Sequence, residues 1–167
     1  SRDWMSDVCS SDLMFTMSMF DVNRYAFVSQ LIPYEIYNRC YLNIVAQTEY
    51  FAYKHVIFPT EKVAKPLIAG QPFLVYAPVP GFLKYLKSQG FKTFDPWIDE
   101  SYDEVELAHL RATSLIDSVN QFAQQTTETK LQILTEMQEV CDHNRRLATD
   151  PAFLLAPIVN IILERFS

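Results

Sequence analysis

Tyr41-Leu-Asn-Ile-Val-Ala46, Thr60-Glu-Lys-Val-Ala-Lys-Pro-Leu-Ile-Ala69 and Gln71-Pro-Phe-Leu-Val-Tyr76 decide the fold. The first and third are short, apolar and partly β-branched, which is the composition of strands. Gln47 to Pro59 reads as a loop, and Thr60 to Ala69 as a helix closed by Gly70. Strand, crossover helix and strand form a parallel unit, because parallel neighbours need a long connection.

Working outward, Phe82 to Ser88 is a short helix with Phe82, Leu83 and Leu86 on one face and Gly90 as its stop. Phe91-Lys-Thr-Phe94 reads as a further short strand. Gly70, Gly81 and Gly90 each fall where an element ends or begins. That placement fits tight α/β turns, either cradling a ligand or simply reversing the chain. Past Trp97, Ser101-Tyr-Asp-Glu104 fits a capping box. It leads into a helix with Val105, Ala108, Ala112, Leu115, Val119 and Phe122 on its apolar stripe. A second helix from about Thr127 carries Ile133, Met137, Val140, Asn144 and Leu147 on one face. A third opens with Asp150 as N-cap and Pro151 in the first turn, then runs apolar from Phe153 to Ile162 with a kink at Pro157.

Upstream, Met14 to Asn38 is rich in Met, Phe and Tyr and gives no clear element. Residues 1–13 lack periodicity, and Asp3 to Leu13 closely resembles one translated frame of a sequencing-library adapter, with Met5 as the mismatch. Three regions result: an artefactual or disordered tail at 1–13, an α/β region at 14–100 and a helical region at 101–167.

Composition bounds the function classes. With 49% apolar and 20% charged residues the chain can fill a core and is not of the disordered class. A net charge of -6 argues against a dedicated nucleic-acid binder, whose affinity depends on cationic side chains. Cys9, Cys40 and Cys141 have neither zinc-ligand nor disulfide-framework spacing, so a reducing cytoplasm is the expected location. No apolar run reaches the length of a transmembrane helix.

The densest group of chemically able side chains is Phe58-Pro-Thr-Glu-Lys-Val-Ala-Lys-Pro66. In open α/β sheets ligands bind beyond the carboxyl ends of the strands, where helix N-termini offer N–H groups to phosphate. Thr60, Glu61 and Lys62 fall there. A lysine can pair with diphosphate and a carboxylate can accept from ribose hydroxyls. The competing reading is an exposed, charged first turn. Pro66 should kink or shorten the helix. His55, His109 and His143 share no metal-ligand spacing, and a structural or surface role fits each. The acidic run Asp99, Glu100, Asp103, Glu104 and Glu106 reads as carboxylates complementing a helix dipole rather than as a cation site. There is no nucleophile-elbow motif and no Asp-x-Asp pair.

The run Tyr41 to Glu49, then Thr60-Glu-Lys62, then Pro66-Leu-Ile-Ala-Gly-Gln-Pro-Phe-Leu-Val-Tyr76 resembles the donor-binding half of GT-B glycosyltransferases. It is most similar to the α-1,3-fucosyltransferase-like group and its uncharacterised bacterial and phage relatives, over about residues 41–103. The resemblance implies a Rossmann-like parallel sheet, the C-terminal half of a GT-B fold, followed by helices. It makes Glu61 the ribose ligand and Lys62 the diphosphate ligand of a nucleotide sugar, with Thr60 beside them. Glu49 is a weaker candidate for the same pocket. Phe58 replaces a frequent family Tyr, and Lys65 is the substitute for a second phosphate-binding Arg. The implied reaction is metal-independent transfer of a sugar from a nucleoside diphosphate donor to a glycan or other acceptor hydroxyl, with no bound cofactor. The family's general base commonly comes from an N-terminal domain, which is expected to be missing here. The alternative is a non-catalytic interaction module that oligomerises through Phe153 to Ile162.

Overall fold

Thr60 starts the element around which the rest is organised. Its backbone is extended (φ -104°, ψ 176°), and its hydroxyl oxygen accepts from the Lys62 N–H, the geometry that begins a helix. The helix ends at Gly70, whose φ of 68° is left-handed and whose N–H returns to Leu67 O at 3.2 Å. The computed structural model describes residues 32, 34–37, 39–47, 57 and 59–153. The chain divides into two units, Ser1–Pro33 and Tyr34–Ser167, and the architecture below belongs to the second.

The elements run α1 (Tyr34–Tyr37), β1 (Asn43–Ala46), α2 (Glu61–Ala69), β2 (Phe73–Tyr76), α3 (Phe82–Ser88), a 3-10 turn (Ser101–Glu104), α4 (Ala108–Ala123) and α5 (Thr127–Thr149). β1 and β2 pair in parallel, with Asn43 opposite Phe73 and Ala46 opposite Tyr76. The strand, helix and strand expected at 41–76 are thus present, and the protein is mixed α/β. Pro66 neither breaks nor shortens α2, which continues to Ala69 with Pro66 buried. α2 packs between β1 and α5, while α4 lies against β2 and the 3-10 turn.

A single core serves both regions. Val45, Val63, Leu67, Phe73, Leu74 and Val75 from the α/β part meet Leu115, Phe122, Met137 and Cys141 from the helices. The Phe73 and Phe94 rings meet edge to face at 5.6 Å. Residues 34–100 and 101–153 therefore fold around each other.

Phe91 to Phe94 is not a strand, because the end of α3 takes Phe91 N, on Leu86 O at 3.1 Å, and side chains meet Lys92 and Phe94. Asn144 on α5 accepts from Lys92 N at 2.8 Å through Oδ1 and donates to Lys92 O at 2.8 Å through Nδ2. Glu100 Oε1 accepts from Phe94 N at 2.7 Å. Asn144 is 1% exposed, so a polar residue on the predicted apolar face acts as a one-residue strand mimic. Nor does Ser101 open the long helix. Ser101–Glu104 is a 3-10 turn, and α4 begins at Ala108 with Leu107 as an N-cap that lends no side chain. Val105 thus lies outside α4, and Ala108 is exposed.

The outer edge of β2 is met by a side chain. Asn43 N donates to Pro72 O at 3.0 Å and Gln47 N to Tyr76 O at 2.9 Å, so these β1 amides face β2. On the far edge of β2 the Val75 N–H is taken at 3.3 Å by the hydroxyl of Tyr102, which is fully buried. Desolvation lifts that phenol well above its ordinary value, so it stays neutral.

At the other end, Asp150 Oδ1 accepts from Ala152 N at 2.8 Å and residues 151–153 are helical, as an Asp N-cap before Pro predicts. The rest of the apolar stretch to Ile162, Pro157 included, lies outside the described residues, as do residues 1–13. Among the described residues no helix is long and apolar enough to cross a membrane.

Candidate functional site

Because β1 and β2 are parallel, their carboxyl ends lie side by side, and the first turn of α2 comes to the same end. Gln47, the residue after β1, is tied to β2 through its own N–H on Tyr76 O. Its side chain reaches the start of α2, where Thr60 Oγ1 donates to Gln47 Oε1 at 2.7 Å. Thr60 is therefore both N-cap and link. Gln47 is only 6% exposed, and its Nε2 has no hydrogen-bond partner.

Glu61 and Lys62 follow. Lys62 Nζ lies 2.9 Å from Glu61 Oε1, with the two side chains 37% and 40% exposed respectively. The Lys62 hydrogen bond, aided by a backbone N–H, holds the Glu61 carboxyl below its ordinary value of 4.5. Lys65, one turn on, adds a weaker charge effect in the same direction. The sequence thus brings Thr60, Glu61, Lys62 and Lys65 to the carboxyl ends of the strands, but the acid and the base there pair with each other. An entering anion would have to draw Lys62 away from Glu61. Helix N–H groups are also partly used, with Lys62 N on Thr60 Oγ1 at 3.3 Å and Val63 N on Thr60 O at 3.1 Å. Glu49, Phe58 and His55 lie outside the described residues.

The loop after β2 flanks the same end, and a residue not singled out in the sequence fixes it. Arg111 on α4 is fully buried, and its guanidinium donates to main-chain carbonyls. Nε donates to Ala77 O at 3.1 Å, Nη2 to Pro78 O at 2.7 Å, and Nη1 to Glu106 O at 3.2 Å and to Val105 O. The signal was available: Arg111, Leu115, Ser118 and Phe122 repeat at four, three and four, and all are buried. Gln47, by contrast, stands at the edge of a loop and has no periodic context.

The acidic run does complement a helix, but not the one expected. Asp103 is 3% exposed, and its two oxygens accept from Phe82 N at 3.1 Å and Leu83 N at 2.7 Å at the start of α3. Gly81, the N-cap at φ 85°, has no side chain to do this, and its N–H donates to Asp103 O at 2.8 Å. The N–H groups of Gly81, Phe82 and Leu83 are therefore all taken by Asp103. Asp99 Oδ1 accepts from Ser101 N at 2.9 Å. His143 Nε2 bonds Gly90 O at 2.9 Å, a structural contact, and His109 is exposed. Among the described residues no cluster of three His, Cys, Asp or Glu is placed to hold a metal ion.

Glu100 lines a shallow cleft of about 430 Å³ beside Lys84, Lys87, Asp95 and Asp99. Its side chain is 6% exposed, with Lys87 Nζ 3.8 Å from Oε2. Burial raises its carboxyl above the ordinary 4.5. A raised carboxyl contributes stability that is present below pH 4.5 and lost as pH rises through the folded value. Glu100→Gln keeps an acceptor for Phe94 N and removes the titration. Its unfolding free energy relative to wild type is expected to rise between pH 4 and pH 7. Urea melts at three pH values across that range check this, and a flat difference would count against it.

The chain matches none of the protein families, curated proteins or solved structures compared with it.

Proposed function

We propose that this chain is the donor-binding part of a GT-B-like glycosyltransferase, with a Rossmann-like sheet of which β1 and β2 form a part. It takes a nucleoside diphosphate sugar at the first turn of α2 and serves transfer of the sugar to a glycan or other hydroxyl acceptor. The observation that carries this reading is the placement of Thr60, Glu61 and Lys62 at the carboxyl ends of two parallel strands, where α/β proteins receive phosphate. In this reading Lys62 meets the diphosphate, whose charge grows as the sugar leaves. Glu61, released from Lys62, accepts from the ribose hydroxyls, and Lys65 supports from the next turn. No described residue is assigned as the base. A cytoplasmic location accompanies this reading, and the free thiols of Cys40 and Cys141 fit a reducing compartment.

Calorimetry on the full chain with a panel of nucleoside diphosphates is the test. One member is expected to bind, and Lys62→Ala is expected to weaken it by about 1–3 kcal/mol, the scale of a charged hydrogen bond. A folded chain that binds no nucleoside diphosphate overturns the reading.

A further inference from the structure

The side chain of Gln47 presents an unpaired NH2 group at the start of α2, and its orientation follows from its neighbours. The Lys62 N–H donates to Thr60 Oγ1 at 3.3 Å, so the hydroxyl is engaged there as an acceptor. Its own hydrogen goes to Gln47 at 2.7 Å. The atom that receives a hydrogen must be the amide oxygen, which leaves the NH2 end facing no partner. A residue 6% exposed holds this open donor, and native proteins rarely leave a buried donor unpaired without a reason. The Thr60 hydroxyl holds the amide from the start of α2, and the main-chain N–H of Gln47, bonded to Tyr76 O at 2.9 Å, anchors the residue's backbone to β2. The two supports come from different elements, β2 and α2, and they fix the amide at the carboxyl ends of the strands.

We infer that Gln47 is a ligand-binding residue whose Nε2 donates to an oxygen of an anionic group, a phosphate of a diphosphate, bound at the first turn of α2. This rests on the reading of that turn as a diphosphate site and extends it. Lys62 supplies charge and Gln47 supplies a neutral, directed donor. Such a donor adds direction to the charge, and its own hydrogen bond is screened by salt less than the charge of Lys62. Thr60 becomes a positioning residue, since its hydroxyl decides which end of the amide is open.

The full chain, labelled with nitrogen-15, is titrated with inorganic pyrophosphate and then with the nucleoside diphosphate that binds best. The Gln47 side-chain NH2 pair is assigned in wild type by through-bond correlation to its own backbone. At saturation these two protons are expected to shift and to exchange more slowly with water. Gln47→Met, of similar length but without donor or acceptor, is expected to bind pyrophosphate at least tenfold more weakly, and Gln47→Glu more weakly still. Bound pyrophosphate that leaves the Gln47 NH2 resonances unmoved overturns the assignment and leaves the diphosphate site standing. So does a Gln47→Met chain that melts earlier but binds within twofold of wild type, since that is the mark of a purely structural amide. Wild type that binds neither pyrophosphate nor any nucleoside diphosphate overturns both readings together. The resonance measurement uses wild type alone, so the inference stays open to refutation even where Gln47→Met does not fold.

Discussion

Arg111→Met is expected to destabilise the folded chain by about 3–5 kcal/mol, the range for breaking a buried charged network. Methionine matches the length of the arginine stem but leaves the carbonyls of Ala77, Pro78, Val105 and Glu106 without their donor. The Ala77 bond is buried and the other three are part-buried, and a carbonyl that water cannot reach costs about 1–3 kcal/mol when left unsatisfied. Part of that is offset because the buried guanidinium no longer has to be desolvated. Since small domains are stable by only about 5–15 kcal/mol, the loss shows as a large fall in the urea midpoint. Arg111→Lys separates charge from shape. An ammonium keeps the charge but cannot span two loops with a planar fork, so it is expected to recover less than half of the loss. Equal stability of Arg111→Met and wild type would show that those carbonyls find other partners.

The consequence reaches the candidate site. Ala77 and Pro78 begin the loop that leaves the carboxyl end of β2, just past Tyr76, whose carbonyl accepts from Gln47 N. Arg111 ties that loop to the turn before α4, as the Tyr102 hydroxyl ties off Val75 on the same strand. Tyr102 thus meets the outer edge of β2, and Arg111 meets the chain just past its end. The loop therefore has its shape fixed by Arg111 from the side of α4. If the α2 turn binds diphosphate, Arg111→Lys also raises the dissociation constant without touching the ligand.

How far the sequence reveals this depends on whether an element is made by local or distant bonds. The unit from β1 to β2 is legible because its signals are local: β-branched runs, a Thr N-cap, a Gly stop. α3 is legible for the same reason at its C-terminal end. Phe91 to Phe94 has strand composition, but its backbone partner is the Asn144 side chain 52 residues away, which no local pattern announces. Ser101-Tyr-Asp-Glu104 matches a capping box letter by letter, yet its Asp is spent on another helix. Of the site, Thr60, Glu61, Lys62 and Lys65 are placed where the strand, helix and strand pattern puts them. The pairing of Glu61 with Lys62 and the open amide of Gln47 depend on side-chain geometry that spacing does not encode.

Asp103→Ala is the second large effect, expected at about 2–4 kcal/mol. It removes two charge-assisted hydrogen bonds, each worth about 1.5–3 kcal/mol, from the buried start of a helix. Gly81 cannot compensate, because it has no side chain, and a replacement with one would be strained at φ 85°. Relief from burying a carboxylate offsets part of the loss. Burial raises the Asp103 carboxyl above its ordinary 3.8, despite the N–H bonds and the nearby Arg111 charge that oppose the shift. A raised value means that the group stabilises most below pH 3.8 and less as pH rises through the folded value. The penalty of Asp103→Ala is therefore expected to be larger at pH 4 than at pH 7. Asp103→Asn keeps one acceptor for Leu83 N but turns an NH2 toward Phe82 N, so it is expected to lose about half as much and to remove that pH dependence. Thermal melts of the three chains at both pH values decide the matter. A penalty that grows toward neutral pH would mean that the N–H bonds outweigh burial, and that the carboxylate is held as a cap because it is charged.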